Sequence, residues 1–170
     1  MSEPTACAAR CPHDDAYCDN CDRLVGLPGV HVIGVDRRPA GLVVEVESPP
    51  AMMGCPTCGV VARSHGRRTV TLVDIPCFGA PTRVRWRKRT WTCPEPSCPV
   101  GVFTEQDEQI AKPRAMLTTR ACRWATEQVR REHASIAGLA RQLATTWRTV
   151  WTSISRSCSV PPLMSPGSPA

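Results

Sequence analysis

The sequence predicts an α+β chain: a small β-rich ribbon followed by three short helices, with disordered termini. Three observations carry this. Two cysteine pairs, Cys55/Cys58 and Cys93/Cys98, bracket a stretch that alternates as strands do. From Thr118 to Ser155 there is no proline, and apolar residues recur at helical spacing. Aromatics make up only 5% of 170 residues, while Pro and Gly number 17 and 11, so one large core is not expected. Something besides apolar burial should help hold each small unit together.

Taken in order, residues 1–22 form a Cys-rich, acidic tail with Cys7, Cys11, Cys18 and Cys21 spaced C-x3-C-x6-C-x2-C. A second metal site and a frayed tail both fit that spacing. "DNCDRLVGL", residues 19–27, leads into residues 23–50 as a short helix ending at Gly26. "GVHVIGVDRRPAGLVVEVES" then reads as two strands joined by a turn at Arg38, Pro39, Ala40 and Gly41. After the break "SPPAMMG" comes the ribbon, residues 51–105. Thr69 to Asp74 reads as a strand, "IPCFGAP" as a turn, and "TRVRWRKRTWTC" as a second strand. On that second strand Arg83, Arg85, Arg87 and Arg89 fall on one side and Val84 and Trp86 on the other, so one face is expected to be wholly cationic. Such a face must meet solvent or an anion.

Residues 106–117 link to the helical unit, residues 118–155. Thr118 or Thr119 can cap its first helix, Ser135 the second and Thr145 or Thr146 the third. Residues 156–170, with "PPLMSPGSPA", have little to bury and are expected to be disordered.

Cys55 and Cys58 form a C-x2-C knuckle, and Cys93 and Cys98 a C-x4-C pair. Strand pairing can bring the two ends of a hairpin together, so that four thiolates converge on Zn²⁺ with bonds near ~2.3 Å. Gly59 permits the left-handed turn that aims backbone amides at the sulfurs. The rival for "CPTC" is a redox dithiol, which needs a helix starting between the thiols, whereas basic strands follow here. His65, in a polar turn, and Cys77, in the hairpin loop, are further donor types and read as bystanders.

"SIAGLARQLATTWRTVWTSI" has the rhythm of a helix-turn-helix, with small Ala140 at the helix crossing and Val150 anchoring the second helix. Thr146, Trp147, Arg148, Thr149 and Thr152 would then line the recognition helix and touch base edges and phosphates. Ala144 sits where such turns favour Gly, which requires a strained or altered conformation. A plain three-helix bundle for protein contacts, with Trp147 and Trp151 at core or interface, stays open.

Charge is uneven. Residues 1–60 carry eight acids and four bases, and the remainder seven acids and seventeen bases. A basic half suits a polyanion such as DNA, with Arg83, Arg85, Arg87 and Arg89 expected on its phosphates, as well as a simply solvated surface. No run of ~18 apolar residues suggests a membrane span. "MSEPTACAARCPHDD" has neither the basic nor the apolar region of a signal peptide, so reduced cysteines and a cytoplasmic, nucleoid location are expected.

The motifs "CPTCG", "HGRR", "VDIP", "WRKRTWTC", the C-x4-C pair, "FTE" and "LTTRACRWA" closely resemble the N-terminal part of bacterial insertion-sequence transposases of the ISL-three type, from about Leu24 to Ile154. The resemblance implies a zinc ribbon, with ligands Cys55, Cys58, Cys93 and Cys98, and a helix-turn-helix that together bind double-stranded DNA at the terminal inverted repeats of the element. It also implies a following ribonuclease-H-like domain with three carboxylates and Mg²⁺. Here the text turns Ser/Pro-rich instead, and Asp74, Glu105, Asp107 and Glu108 read as structural or solvated. The expectation is a truncated, non-cutting DNA binder and not an enzyme. An adaptor that binds another protein, such as a full-length transposase, is the alternative.

Overall fold

A computed structural model describes residues 17–158. Cys7, Cys11, the first sixteen residues of the N-terminal tail and residues 159–170 of the C-terminal tail lie outside the described residues. The chain order is α1 (Asp19–Val25), β1 (His31–Arg38), β2 (Gly41–Glu47), β3 (Arg63–Cys77), β4 (Ala80–Thr92), β5 (Val102–Thr104), α2 (Thr119–Arg131), α3 (Ile136–Gln142) and α4 (Trp147–Cys158).

The lead-in helix ends as its sequence requires: Gly26 adopts φ 61° and its N–H reaches back to the Asp22 carbonyl at 2.7 Å. The two following strands pair antiparallel around Pro39 and Ala40. They are not a separate packing unit, because β2 pairs in parallel with β4, from Leu42 opposite Thr82 to Glu47 opposite Arg87. The result is one five-stranded sheet in the order β1-β2-β4-β3, with β5 also on β4. Residues 23–50 and the ribbon therefore share a single sheet.

The β3–β4 hairpin is longer than the sequence suggested. β3 starts at Arg63, six residues before Thr69, and runs to Cys77, so His65 lies within a strand and Cys77 closes the ladder opposite Ala80. The turn shrinks to Phe78 and Gly79, with φ 51° and 73°. Two consecutive left-handed residues match the twist of flanking strands, which is why two-residue hairpins favour them. Pro76, which has no N–H to donate, falls where the register shifts between Asp74 and Cys77.

Alternation sorts the sheet's faces. Val32, Val44, Val46, Leu72, Val84 and Trp86 bury on one side, closed over by Leu27, Val30, Ile110 and Ala111. Trp86, 1% exposed, satisfies its indole N–H on Ser48 Oγ at 2.9 Å. The opposite face contributes Val73 to a second cluster with Leu117, Ala121, Ala125, Leu139, Ala140, Leu143, Val150 and Ile154 from the helices. The linker helps to join the two: Val73 N–H donates to the Met116 carbonyl at 2.8 Å, and Thr118 N–H to the Val73 carbonyl at 3.0 Å.

All three helices behind the linker are capped by hydroxyls. Thr118 Oγ1 accepts from Ala121 N–H at 3.1 Å while donating to Asp74 at 2.6 Å. Ser135 accepts from Gly138 N–H, and Thr146 from Thr149 N–H, each at 3.1 Å. Between α3 and α4, Ala144 takes φ 46°, the left-handed conformation that its place in the turn demands and that a side chain resists.

Candidate metal centre and nucleic-acid interface

The open end of the β3–β4 hairpin gathers the four thiols. The first knuckle folds on itself: Cys55 N–H donates to Val60 O at 2.8 Å and Gly59 N–H to Cys55 O at 2.9 Å, with Gly59 at φ 75°. The second is shaped by Cys93 N–H on Gly101 O at 2.9 Å and Cys98 N–H on Glu95 O at 3.1 Å. Glu95 in turn accepts from the Ser97 hydroxyl and amide.

The sulfurs of Cys55 and Cys98 are 3.7 Å apart, those of Cys58 and Cys93 3.5 Å, and all four lie within 4.8 Å of one another. Four sulfurs at ~2.3 Å from one ion in a tetrahedron stand about 3.8 Å apart, so the set fits zinc. Amides of Cys58 and Thr57 lower the Cys55 thiol to about 6. The Glu95 amide also favours the Cys93 thiolate, but burial and the neighbouring thiols prevail and push Cys93 up to about 12. Four sulfurs cannot all ionise side by side without a cation between them, and Zn²⁺ supplies it. With four protein ligands no coordination position is left for a substrate, which marks the centre as structural. Among the described residues this is the one group of three or more clustered His, Cys, Asp or Glu ligands. Cys18 and Cys21 sit at the start of α1, and Cys77 bonds the Ile75 carbonyl, so none joins the centre.

The arginine row on β4 alternates as expected, yet its face is not wholly cationic. β2 lies alongside and presents Glu45 opposite Arg85 and Glu47 opposite Arg87. Arg85 pairs with Glu45, while Arg87 and Arg67 share Glu47 at 3.5 and 3.4 Å. Arg83 turns to the helical unit and donates to the Leu143 and Ala144 carbonyls at 3.0 and 2.6 Å. Arg89 lies over the Trp91 ring at 5.6 Å, its Nε buried without a partner. The anion that the row meets is largely the protein's own β2 strand, which one-strand reasoning could not include.

The α4 candidates divide. Thr146, Arg148, Thr149 and Thr152 face a groove of about 1220 Å³ formed by residues 112–117, α2 and α4. Trp147 turns elsewhere and stacks on Trp151 at 5.6 Å, both rings about half exposed. Sequence reasoning missed the rest of that groove, which holds seven lysine and arginine side chains and one acid, Glu127. The signal was present in the spacing: Arg123 and Arg130 are two helical turns apart, as are Arg148 and Arg156.

Two of the acids that invite a catalytic reading, Asp74 and Glu105, are structurally committed. Asp74, fully buried, accepts from Thr118 and from Arg120, whose guanidinium also reaches the Val25 carbonyl. Glu105 accepts from Ser48 Oγ and from Arg89 N–H. Among the described residues, no helix is long and apolar enough to cross a membrane.

Residues 52–98 match the family model described as zinc-finger of transposase IS204/IS1001/IS1096/IS1165. The matched segment contains all four clustered thiols. No curated protein and no solved structure matches the chain.

Proposed function

We propose that this chain, which carries a transposase-type zinc ribbon, binds the terminal inverted repeats of an insertion sequence and does not itself cut DNA. The observation behind this reading is the match of residues 52–98 to the transposase zinc finger, with its four thiols in zinc-binding geometry. The ribbon serves as a rigid mount, and α3–turn–α4 serves as a helix-turn-helix whose Thr146, Arg148, Thr149 and Thr152 present hydroxyls and a guanidinium to the duplex. Such groups bond base edges and phosphate oxygens.

A gel-shift comparison of a terminal-repeat duplex with a scrambled one tests this. Specific binding is expected to exceed non-specific binding by at least ~10³. Arg148→Ala should cost about 1–3 kcal/mol on the repeat and relax discrimination. Equal affinity for both duplexes would reduce the reading to charge alone, and Mg²⁺-dependent strand cleavage by the purified chain would overturn its non-cutting part.

A second reading has its own observation. Trp147 and Trp151 are stacked, and both are exposed outside the groove, a pairing of the kind that anchors protein interfaces. A full-length transposase is the partner this reading names. Retained co-purification with that transposase after Trp151→Ala would remove it.

A further inference from the structure

The DNA-binding reading leaves open which surface takes the phosphate backbone, and the β4 arginines are the obvious choice from the sequence. Two of the four, Arg85 and Arg87, are already ion-paired. Of the six ion pairs among the described residues, three join Arg67, Arg85 or Arg87 to Glu45 or Glu47. Arg83 is committed to two backbone carbonyls.

The groove between the linker, α2 and α4 is the reverse case. Its linker wall carries Lys112 and Arg114, its α2 wall Arg123, Arg130 and Arg131, and its α4 wall Arg148 and Arg156. All are exposed, and none takes part in an ion pair among the described residues. Arg114 holds φ 59°, an uncommon backbone state for a residue with a side chain.

We propose that this groove, and not the arginine row of β4, seats the sugar-phosphate backbone of duplex DNA beside the α4 threonines. The proposal rests on the DNA-binding reading and assigns its electrostatic half to a surface. Arg148 and Arg156 stand about 12 Å apart at 1.5 Å per residue, and Arg123 and Arg130 about 10 Å. In this seating Arg123, Arg130 and Arg156 meet phosphates of one strand, while Arg148 reaches the base edges beside the threonines. A repeating anion fits repeating cations along both walls better than the scattered acids of a folded protein do.

The test uses the zinc-loaded full chain, and a duplex of arbitrary sequence as the probe, titrated by fluorescence anisotropy over a salt series. Arg123→Ala with Arg130→Ala should make the slope of log Kd against log salt shallower by about 2. Arg85→Ala with Arg87→Ala should leave it unchanged, and Arg123→Lys with Arg130→Lys should restore it. Lys112→Ala with Arg114→Gly, on a separate element, should repeat the loss of slope should the α2 pair fold poorly. Glycine is chosen there for the left-handed backbone.

A wild-type chain that binds duplex while both groove pairs keep its slope would overturn the assignment and leave the DNA-binding reading standing. An equal loss from the β4 pair would overturn it too. A wild-type chain with no duplex affinity at low salt, including one that binds only an acidic protein, would overturn both.

Discussion

Ala144 shows how one residue stores cost at a junction. Its φ of 46° places a methyl group where glycine is preferred, and its carbonyl is the end point of the Arg83 guanidinium. The left-handed state costs an L-residue about 1–2 kcal/mol. Glycine would remove that cost but return about 0.4–1 kcal/mol of unfolded-chain entropy. Ala144→Gly should therefore stabilise by about 0–1.6 kcal/mol, read as a small rise in melting temperature. This position was legible in advance, because a turn after "SIAGLARQL" needs a left-handed residue whatever occupies it. The roles of Arg85 and Arg87 were not, because their glutamates arrive from a strand some forty residues earlier. Those pairs, half-exposed, contribute only ~0–1 kcal/mol each, so their effect lies in cancelling charge more than in holding the sheet.

Among the elements, the hairpin and its zinc centre divide the labour. The thiol spacing made the centre legible, since C-x2-C and C-x4-C at the ends of a strand pair are the pattern of a four-thiolate zinc site. The extent of the strands was not legible: a basic, glycine-containing run such as "RSHGRR" carries no apolar alternation, and it is held in β3 by pairing with β4. Cys58 is exposed, so Cys58→Ser removes a ligand with little disturbance to packing. That variant should lose bound zinc by metal analysis. Chelation should lower the melting temperature of the wild-type chain, since structural zinc contributes about 10–16 kcal/mol in small fingers. Here the β signal in circular dichroism should survive at low temperature, because the Val46–Val84–Trp86 core lies in the body of the sheet and carries no metal ligand.

In the molecule as a whole, the sheet carries one apolar cluster on each face, and a buried polar group holds the sheet to the helices. Asp74 on β3 binds Thr118 and Arg120 at the start of α2, and Arg120 reaches on to the end of α1. Burial of its head works against the Arg120 charge, yet the attached carboxylate prevails and raises its pKa, so the guanidinium stays charged. Asp74→Ala would strand that guanidinium, and breaking such a pair costs about 3–5 kcal/mol. The expected outcome is a large drop in the urea midpoint. The expectation of small units, each with its own support, missed this link because Asp74 and Arg120 are 46 residues apart and neither is apolar.

The parallel pairing of β2 with β4 also bears on how the molecule can be cut. The segment matched by the family model, residues 52–98, keeps β3, β4 and all four thiols but discards β2 and β5, both of which pair with β4 along the edge away from β3. Excised alone, it would present a bare row of backbone donors and acceptors beside three arginines shorn of their glutamates. Such a fragment should stick to copies of itself and to any polyanion it meets, and an affinity measured on it would describe the excision more than the protein.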